Sequence, residues 1–232
     1  MMKKNYLNII MIIVIISLYI YFEYKDNFVL NNFPAYQLSN IEDYKGKEII
    51  VLNNNEPDFD DLKYSTKSFE KYGELDSLGR CTEAYANLGV DLMPTNSRED
   101  ISYIKPSGWK SVKYDIIPED GHLFNRCHLI AFQLAGENAN PNNLITCTRY
   151  TNSTLMLEYE EKVGNYIRKT KNHVLYRVTP IYDGDNLIAK GIQMEALSLE
   201  DNGDGIKFNI FIYNVQPQIE IDYKNGNSHL IE

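Results

Sequence analysis

Cysteine, tryptophan and histidine are scarce: three, one and four among 232 residues. Cys81, Cys127 and Cys147 are too few for a disulfide framework, and none stands in a C-x-x-C pair. Two readings remain, small buried apolar residues or a single bridge, and the spacing of Cys127, His128 and Cys147 follows no zinc pattern. Positive charge is not in excess either. With 23 Lys+Arg against 32 Asp+Glu the net charge is −9, which excludes a histone-like basic binder. No internal repeat, low-complexity tract or base-reading module is recognisable, so solenoids, disordered tails and sequence-specific DNA readers fall away.

What is present suits a globular protein, with 44% hydrophobic and 12% aromatic residues. One apolar run stands apart. Tyr6 to Phe22 carries no charge, and as a helix it would reach about 26 Å, close to a bilayer core. Lys3 and Lys4 precede it and Glu23, Lys25 and Asp26 follow, which places the N-terminus inside and the bulk outside. A cleaved signal peptide is the rival, but the run ends in Tyr19-Ile20-Tyr21-Phe22-Glu23 without small cleavage-site residues. The expected organisation is a short cytoplasmic start (1–5), a signal-anchor helix (6–22), a linker (23–45) and one domain (46–232).

Within that domain, Glu48 to Leu52, Trp109 to Tyr114, His122 to Phe124, His173 to Thr179, Leu187 to Leu197 and Ile206 to Val215 read as strands. Asn53-Asn54-Asn55-Glu56-Pro57, Asp76 to Gly79, Tyr182 to Asp185 and Asn202 to Gly205 read as turns; the last lacks the acidic spacing of a calcium loop. Asn152 to Thr170 is helical, because Met156, Tyr159, Val163, Tyr166 and Ile167 recur at helical spacing. Strands, a central helix and further strands predict an α+β domain.

Of the histidines, His229 is near the C-terminus, and His122 and His173 sit in strand-like surroundings where a satisfied imidazole is the ordinary outcome. His128 differs. It closes Asn125-Arg126-Cys127-His128 and is followed by Asn138, Asn140, Asn142 and Asn143, then by a helix opening at Asn152 and carrying Glu160. A base titrating near neutrality, oxygen ligands for a hard cation and a guanidinium for phosphate are what a one-metal phosphodiesterase needs.

LDSLGR (Leu75 to Arg80), KPSGW (Lys105 to Trp109), NRCHLI (Asn125 to Ile130), NPNNLITCTRYTN (Asn140 to Asn152) and HVLYRVTP (His173 to Pro180) occur in order. From Gly46 to about Asp222 the chain resembles the DNA/RNA non-specific endonucleases of the ββα-metal, or His-Me finger, fold, in particular the DNA-entry and streptodornase-like branch. The resemblance implies an antiparallel sheet with a metal-binding helix, a water-activating base at His128, and a metal ligand at Asn152. It also implies Mg²⁺, with Mn²⁺ as a substitute, and products bearing 5′-phosphates. Glu160, eight residues beyond Asn152 and about 80° round the helix, is the expected carboxylate of the metal's waters, with Glu158 and Glu161 as flanking alternatives. Asn143 matches a position that supports the metal, or else caps a loop. Arg80 and Arg126 are candidate catalytic phosphate contacts, or else structural ion pairs. The pattern is usually written with Asp and Gly where this chain has Asn125 and Cys127, which removes a charge and adds a side chain beside the base.

Basic residues segregate along the chain. Lys162, Arg168, Lys169, Lys171 and Arg177 stand in a stretch without Asp or Glu, whereas 181–232 is acidic. Lys162, Arg168 and Lys169 are therefore expected to bind the nucleic acid backbone, with Lys105, Lys110 and Lys113 extending that face. The resulting expectation is a membrane-anchored, exported, Mg²⁺-dependent nuclease acting on DNA and RNA, secreted instead if its N-terminal segment is cleaved. The competing reading is a catalytically silent DNA-binding protein on the same scaffold.

Overall fold

The computed structural model describes Ser17 and residues 41–59 and 66–231. The expected membrane helix (6–22) lies, Ser17 apart, outside the described residues, as does most of the linker. Among the described residues no helix is long and apolar enough to cross a membrane. The packed unit begins at Ile41, upstream of the expected Gly46. Ile41 is buried, Tyr44 packs on Tyr213 with ring centroids 5.4 Å apart, and Lys190 reaches Asp43 at 2.9 Å.

Among the described residues the strands are β1 (Ile49–Val51), β2 (Phe69–Tyr72), β3 (Ala84–Leu88), β4 (Phe124–His128), β5 (Leu144–Thr148), β6 (Val174–Ile181), β7 (Gly191–Ser198), β8 (Lys207–Tyr213), β9 (Ile219–Asp222) and β10 (Asn227–Leu230). Helix α1 (Phe132–Ala135) lies between β4 and β5; α2 (Leu157–Thr170) follows β5 through a π-helical turn, Thr151–Met156. An antiparallel six-stranded sheet runs β1-β8-β7-β6-β3-β2, while β4 with β5 and β9 with β10 form separate antiparallel pairs.

Alternation along the strands builds two faces. Tyr176 and Val178 of β6, Ile192, Met194 and Ala196 of β7, and Ile210 and Ile212 of β8 join Met156, Val163 and Ile167 of the helical segment in the main core. The opposite face buries polar groups as well: Arg177 pairs with Glu195 at 2.6 Å, and Gln193 donates to Asn209 at 2.9 Å. Both faces are thus covered, which is why β6 and β8 are buried almost throughout.

The predicted helix and the strands over β1, β6, β7 and β8 are present, and Asn53, Asn54 and Asn55 turn the chain with positive φ, as asparagine tolerates. Trp109 to Tyr114 departs from expectation. It forms only one bridge, Lys113 with His122, because Trp109, Val112 and Tyr114 pack on a second cluster of Ile117, Leu123, Phe124, Ile188, Ile219 and Ile221 instead of joining a sheet. The strand read at His122 to Phe124 begins at Phe124 and runs through His128 itself.

Candidate active site

β4, β5 and α2 follow one another as a strand–strand–helix unit. Arg126 lies opposite Thr146 and His128 opposite Leu144, and as alternate residues Arg126 and His128 share one face of β4. Cys127 turns the other way, into the core, where it is bonded to Cys147 with Cα atoms 5.8 Å apart. The strand exit is clamped by Asn143. Its Oδ1 accepts from Ile130 N at 2.9 Å, its Nδ2 donates to Ile130 O at 3.0 Å, and its carbonyl accepts from Leu129 N. Gly136, at φ +68°, caps α1 in a left-handed conformation against Pro94 and sends the chain on to Asn138.

That return matters because His128 Nε2 lies 2.9 Å from the Asn138 carbonyl. A carbonyl only accepts, so Nε2 carries the hydrogen and the neutral ring keeps its lone pair on Nδ1. Nδ1 faces Arg98, whose Nη2 is 3.2 Å away. Burial pushes the imidazole down to about 4; the Asn138 bond opposes this shift and the Arg98 charge adds to it. Glu160 is 7% exposed, the only buried member of the three helix glutamates, since Glu158 pairs with Lys162 on the surface and Glu161 is exposed. Burial raises its carboxyl to about 8, against the pull of Arg98 and a Gln133 hydrogen bond, while Glu161 pushes it higher. Arg98 therefore acts electrostatically on both His128 and Glu160. No pattern in Thr95-Asn96-Ser97-Arg98-Glu99-Asp100 singles it out, so sequence reasoning missed it.

A groove of about 540 Å³ opens beside these groups, lined in part by Arg98, Lys105, Trp109, Asn125, Arg126 and Asn152. Arg126 stacks on Trp109, its guanidinium carbon 4.0 Å from the ring centroid, and gives Nε and Nη2 to the carbonyls of Ile104 and Ser102. Asn152 sits in the π-helical turn, and among the described residues its carboxamide makes no hydrogen bond. An uncommitted carboxamide oxygen and, on the same helical segment, a buried carboxyl that a cation would draw into its ionised form suit a hard, oxygen-seeking ion that keeps most of its waters. Among the described residues no cluster of three or more His, Cys, Asp or Glu offers an alternative metal cage.

Several sequence candidates lie elsewhere. Arg80 is held by Asp76 at 2.7 Å, by the carbonyls of Gly184 and Asn186, and by the Tyr182 ring, so it braces the turn at Asp76 and does not line the groove. Asn143 has both amide atoms on the Ile130 backbone, so it supports His128 through the strand and offers no free oxygen to a metal. Lys162 pairs with Glu158 at 2.6 Å. Arg168 and Lys169 occupy the last turn of α2, about 24 Å along the helix from Asn152 at 1.5 Å per residue. The basic stretch does not form one face, because Arg177 is buried against Glu195. Lys105 does reach the groove; Lys110 instead donates to Asn227.

Similarity to known proteins bears on this geometry. The structure is similar to that of NucA from Streptococcus agalactiae with magnesium bound, at a TM-score of 0.72 and 26% identity over 84% of this chain and 93% of that one. It also resembles Sda1 nuclease with bound zinc, at a TM-score of 0.62 and 30% identity over 71% and 81% of the two chains. A deoxyribonuclease of Streptococcus dysgalactiae subsp. equisimilis is 32% identical over an alignment of 113 residues that covers 46% of this chain and 33% of that protein. The chain thus spans about a third of the length of that curated relative. The family model for DNA/RNA non-specific endonucleases matches residues 60–199, which include Arg98, His128, Asn152 and Glu160. By that match the chain belongs to the DNA/RNA non-specific endonuclease family.

Proposed function

We propose that this chain is an exported endonuclease, tethered to the membrane through residues 6–22, that hydrolyses phosphodiester bonds of DNA and RNA without base preference, with His128 as general base. The observation that carries this reading is the orientation of His128. Its Nε2 hydrogen is held by Asn138, so Nδ1 is the atom that takes a proton from the attacking water. Asn152 and Glu160 would hold Mg²⁺, or Mn²⁺ in its place. When bound, the ion supplies positive charge against the charge developing on the phosphate. Arg98 is the cation best placed for the scissile phosphate. A phosphate that draws its guanidinium away from His128 also uncovers the Nδ1 lone pair, so substrate binding and base activation are one event. Arg126, fixed by Trp109 and two carbonyls, offers the rest of its guanidinium to a neighbouring phosphate. The absence of base preference follows from a groove of cations and backbone-directed groups. Export is supported by the Cys127–Cys147 bridge, which persists in oxidising surroundings, and by the apolar N-terminal run.

The test is digestion of plasmid and RNA by the full chain in Mg²⁺ and in EDTA, beside His128→Ala and Asn152→Ala. Cleavage that needs the metal, falls by about 10²- to 10⁴-fold in His128→Ala and requires more Mg²⁺ in Asn152→Ala is expected. Undiminished turnover in His128→Ala would remove the base from this reading. DNA binding without cleavage under any divalent ion would favour the silent scaffold.

A further inference from the structure

Beside the groove, the short segment 100–105 is held from both sides. Asp100 caps it, accepting from Ser102 N and Ser102 Oγ, both at 2.8 Å, and Ile104 N donates to Ile101 O to close a turn. From below, Arg126 donates to the carbonyls of Ser102 and Ile104, and the Ile104 side chain is buried. Ile101 and Lys105, at either end of the segment, line the groove. At the tip of this fixed turn stands Tyr103, 69% exposed, the most exposed of the described large hydrophobic side chains. A single surface aromatic is ordinary. One carried on a pre-organised turn, at the rim of a groove whose wall is a stacked Arg126–Trp109 pair, is set up to bind a planar partner at little ordering cost.

We propose that Tyr103 stacks on a nucleobase of the substrate and so favours nucleic acid whose bases are unpaired; this rests on the nuclease reading above. The phosphates of any nucleic acid can meet Arg98, Lys105 and Arg126. In a duplex, however, base faces are covered by their neighbours, and a ring at the rim of a phosphate-binding groove finds no open face. A single strand presents such faces freely, and stacking tolerates any base, in keeping with the absence of base preference. Tyr103 thus sets which strand form is held, whereas His128 performs the same proton transfer on either.

The experiment compares a single-stranded oligonucleotide with the duplex of the same sequence, using the full chain and Tyr103→Ala, Tyr103→Phe and Tyr103→Trp. The expected result is a lower KM for the single strand in the parent protein. In Tyr103→Ala that KM rises about tenfold, the loss of one stacked base, with kcat and the duplex KM within about twofold of the parent. Phe and Trp should restore the single-strand KM, since stacking needs the ring and not the hydroxyl. An unchanged KM in Tyr103→Ala, equal losses on both substrates, or a Phe variant as weak as Ala would overturn the proposal. Fluorescence polarisation of the same oligonucleotides in EDTA measures the preference without catalysis. A single-strand preference that vanishes in Tyr103→Ala there would uphold stacking even if cleavage failed, and no preference in the parent would end it.

Discussion

An imidazole whose Nε2 hydrogen is tied to a backbone carbonyl and whose Nδ1 faces a guanidinium is held neutral in the tautomer a general base requires. Because the folded value of His128 is near 4 and its ordinary value is 6.5, the unfolded chain takes up this proton first as pH falls. Its contribution to stability is therefore present above pH 6.5 and lost on acidification towards pH 4, by about 3 kcal/mol. Glu160 has the opposite sign. Its carboxyl keeps a proton up to about pH 8 while the unfolded group releases it near 4.5, so its contribution is present below 4.5 and lost as pH rises through 8. Between pH 6.5 and 4.5 the two contributions oppose each other, so urea unfolding at those two values separates them: His128→Ala, left with the Glu160 contribution alone, should gain stability on acidification relative to the parent. Parallel curves would show that His128 is not depressed. The acid limb of kcat/KM should likewise lie well below pH 6.5, because that limb reports the base of the free enzyme.

At the scale of elements, β4 and β5 are a two-stranded pair outside the main sheet, a unit of marginal stability unless braced. The brace is the Cys127–Cys147 bond, whose sequence separation is 20 residues. Closing a loop of that size stabilises a fold by about 3 kcal/mol, so Cys127→Ala with Cys147→Ala should lower the unfolding free energy by about that amount. Chemical unfolding with and without reductant checks it; identical midpoints for the reduced and oxidised parent would count against the brace. The residue that replaces the small member of the usual pattern beside the base is thus half of a cross-link anchoring the base's strand. Helix α2, which carries Glu160 and follows the turn holding Asn152, was legible from its apolar spacing. The π-helical turn at Thr151–Met156 was not, because no residue type marks a turn wound more widely than its neighbours, and it alters the angle between those two side chains from the ideal-helix figure.

For the whole molecule, the issue is how a chain of net charge −9 meets a polyanion. Arg98, Lys105 and Arg126 gather at the groove, whereas Arg177 is consumed by Glu195 inside the fold, and Arg168 and Lys169 stand at the far end of α2. Across about 24 Å, three times the screening length of about 8 Å at physiological salt, those last two charges contribute little. Arg168→Ala with Lys169→Ala should change KM for DNA by less than about twofold at 0.15 M salt. A tenfold rise would mean that the substrate track extends along the helix, as the charge pattern of the chain first suggested.

Local pattern was enough for the strands over β1, β6, β7 and β8, for the amphipathic helix, and for the motifs that mark the family. Each is written in residues a few positions apart, where periodicity and motif spacing act directly. Three-dimensional packing decided the rest. Arg98 meets His128 across thirty residues of chain. Arg80 is drawn to Asp76 and two distant carbonyls, Asn143 to the backbone of Ile130, and Cys127 to Cys147. Such partners are chosen by long-range strand pairing and by the need to satisfy buried polar groups, and neither leaves a mark in the order of neighbouring residues.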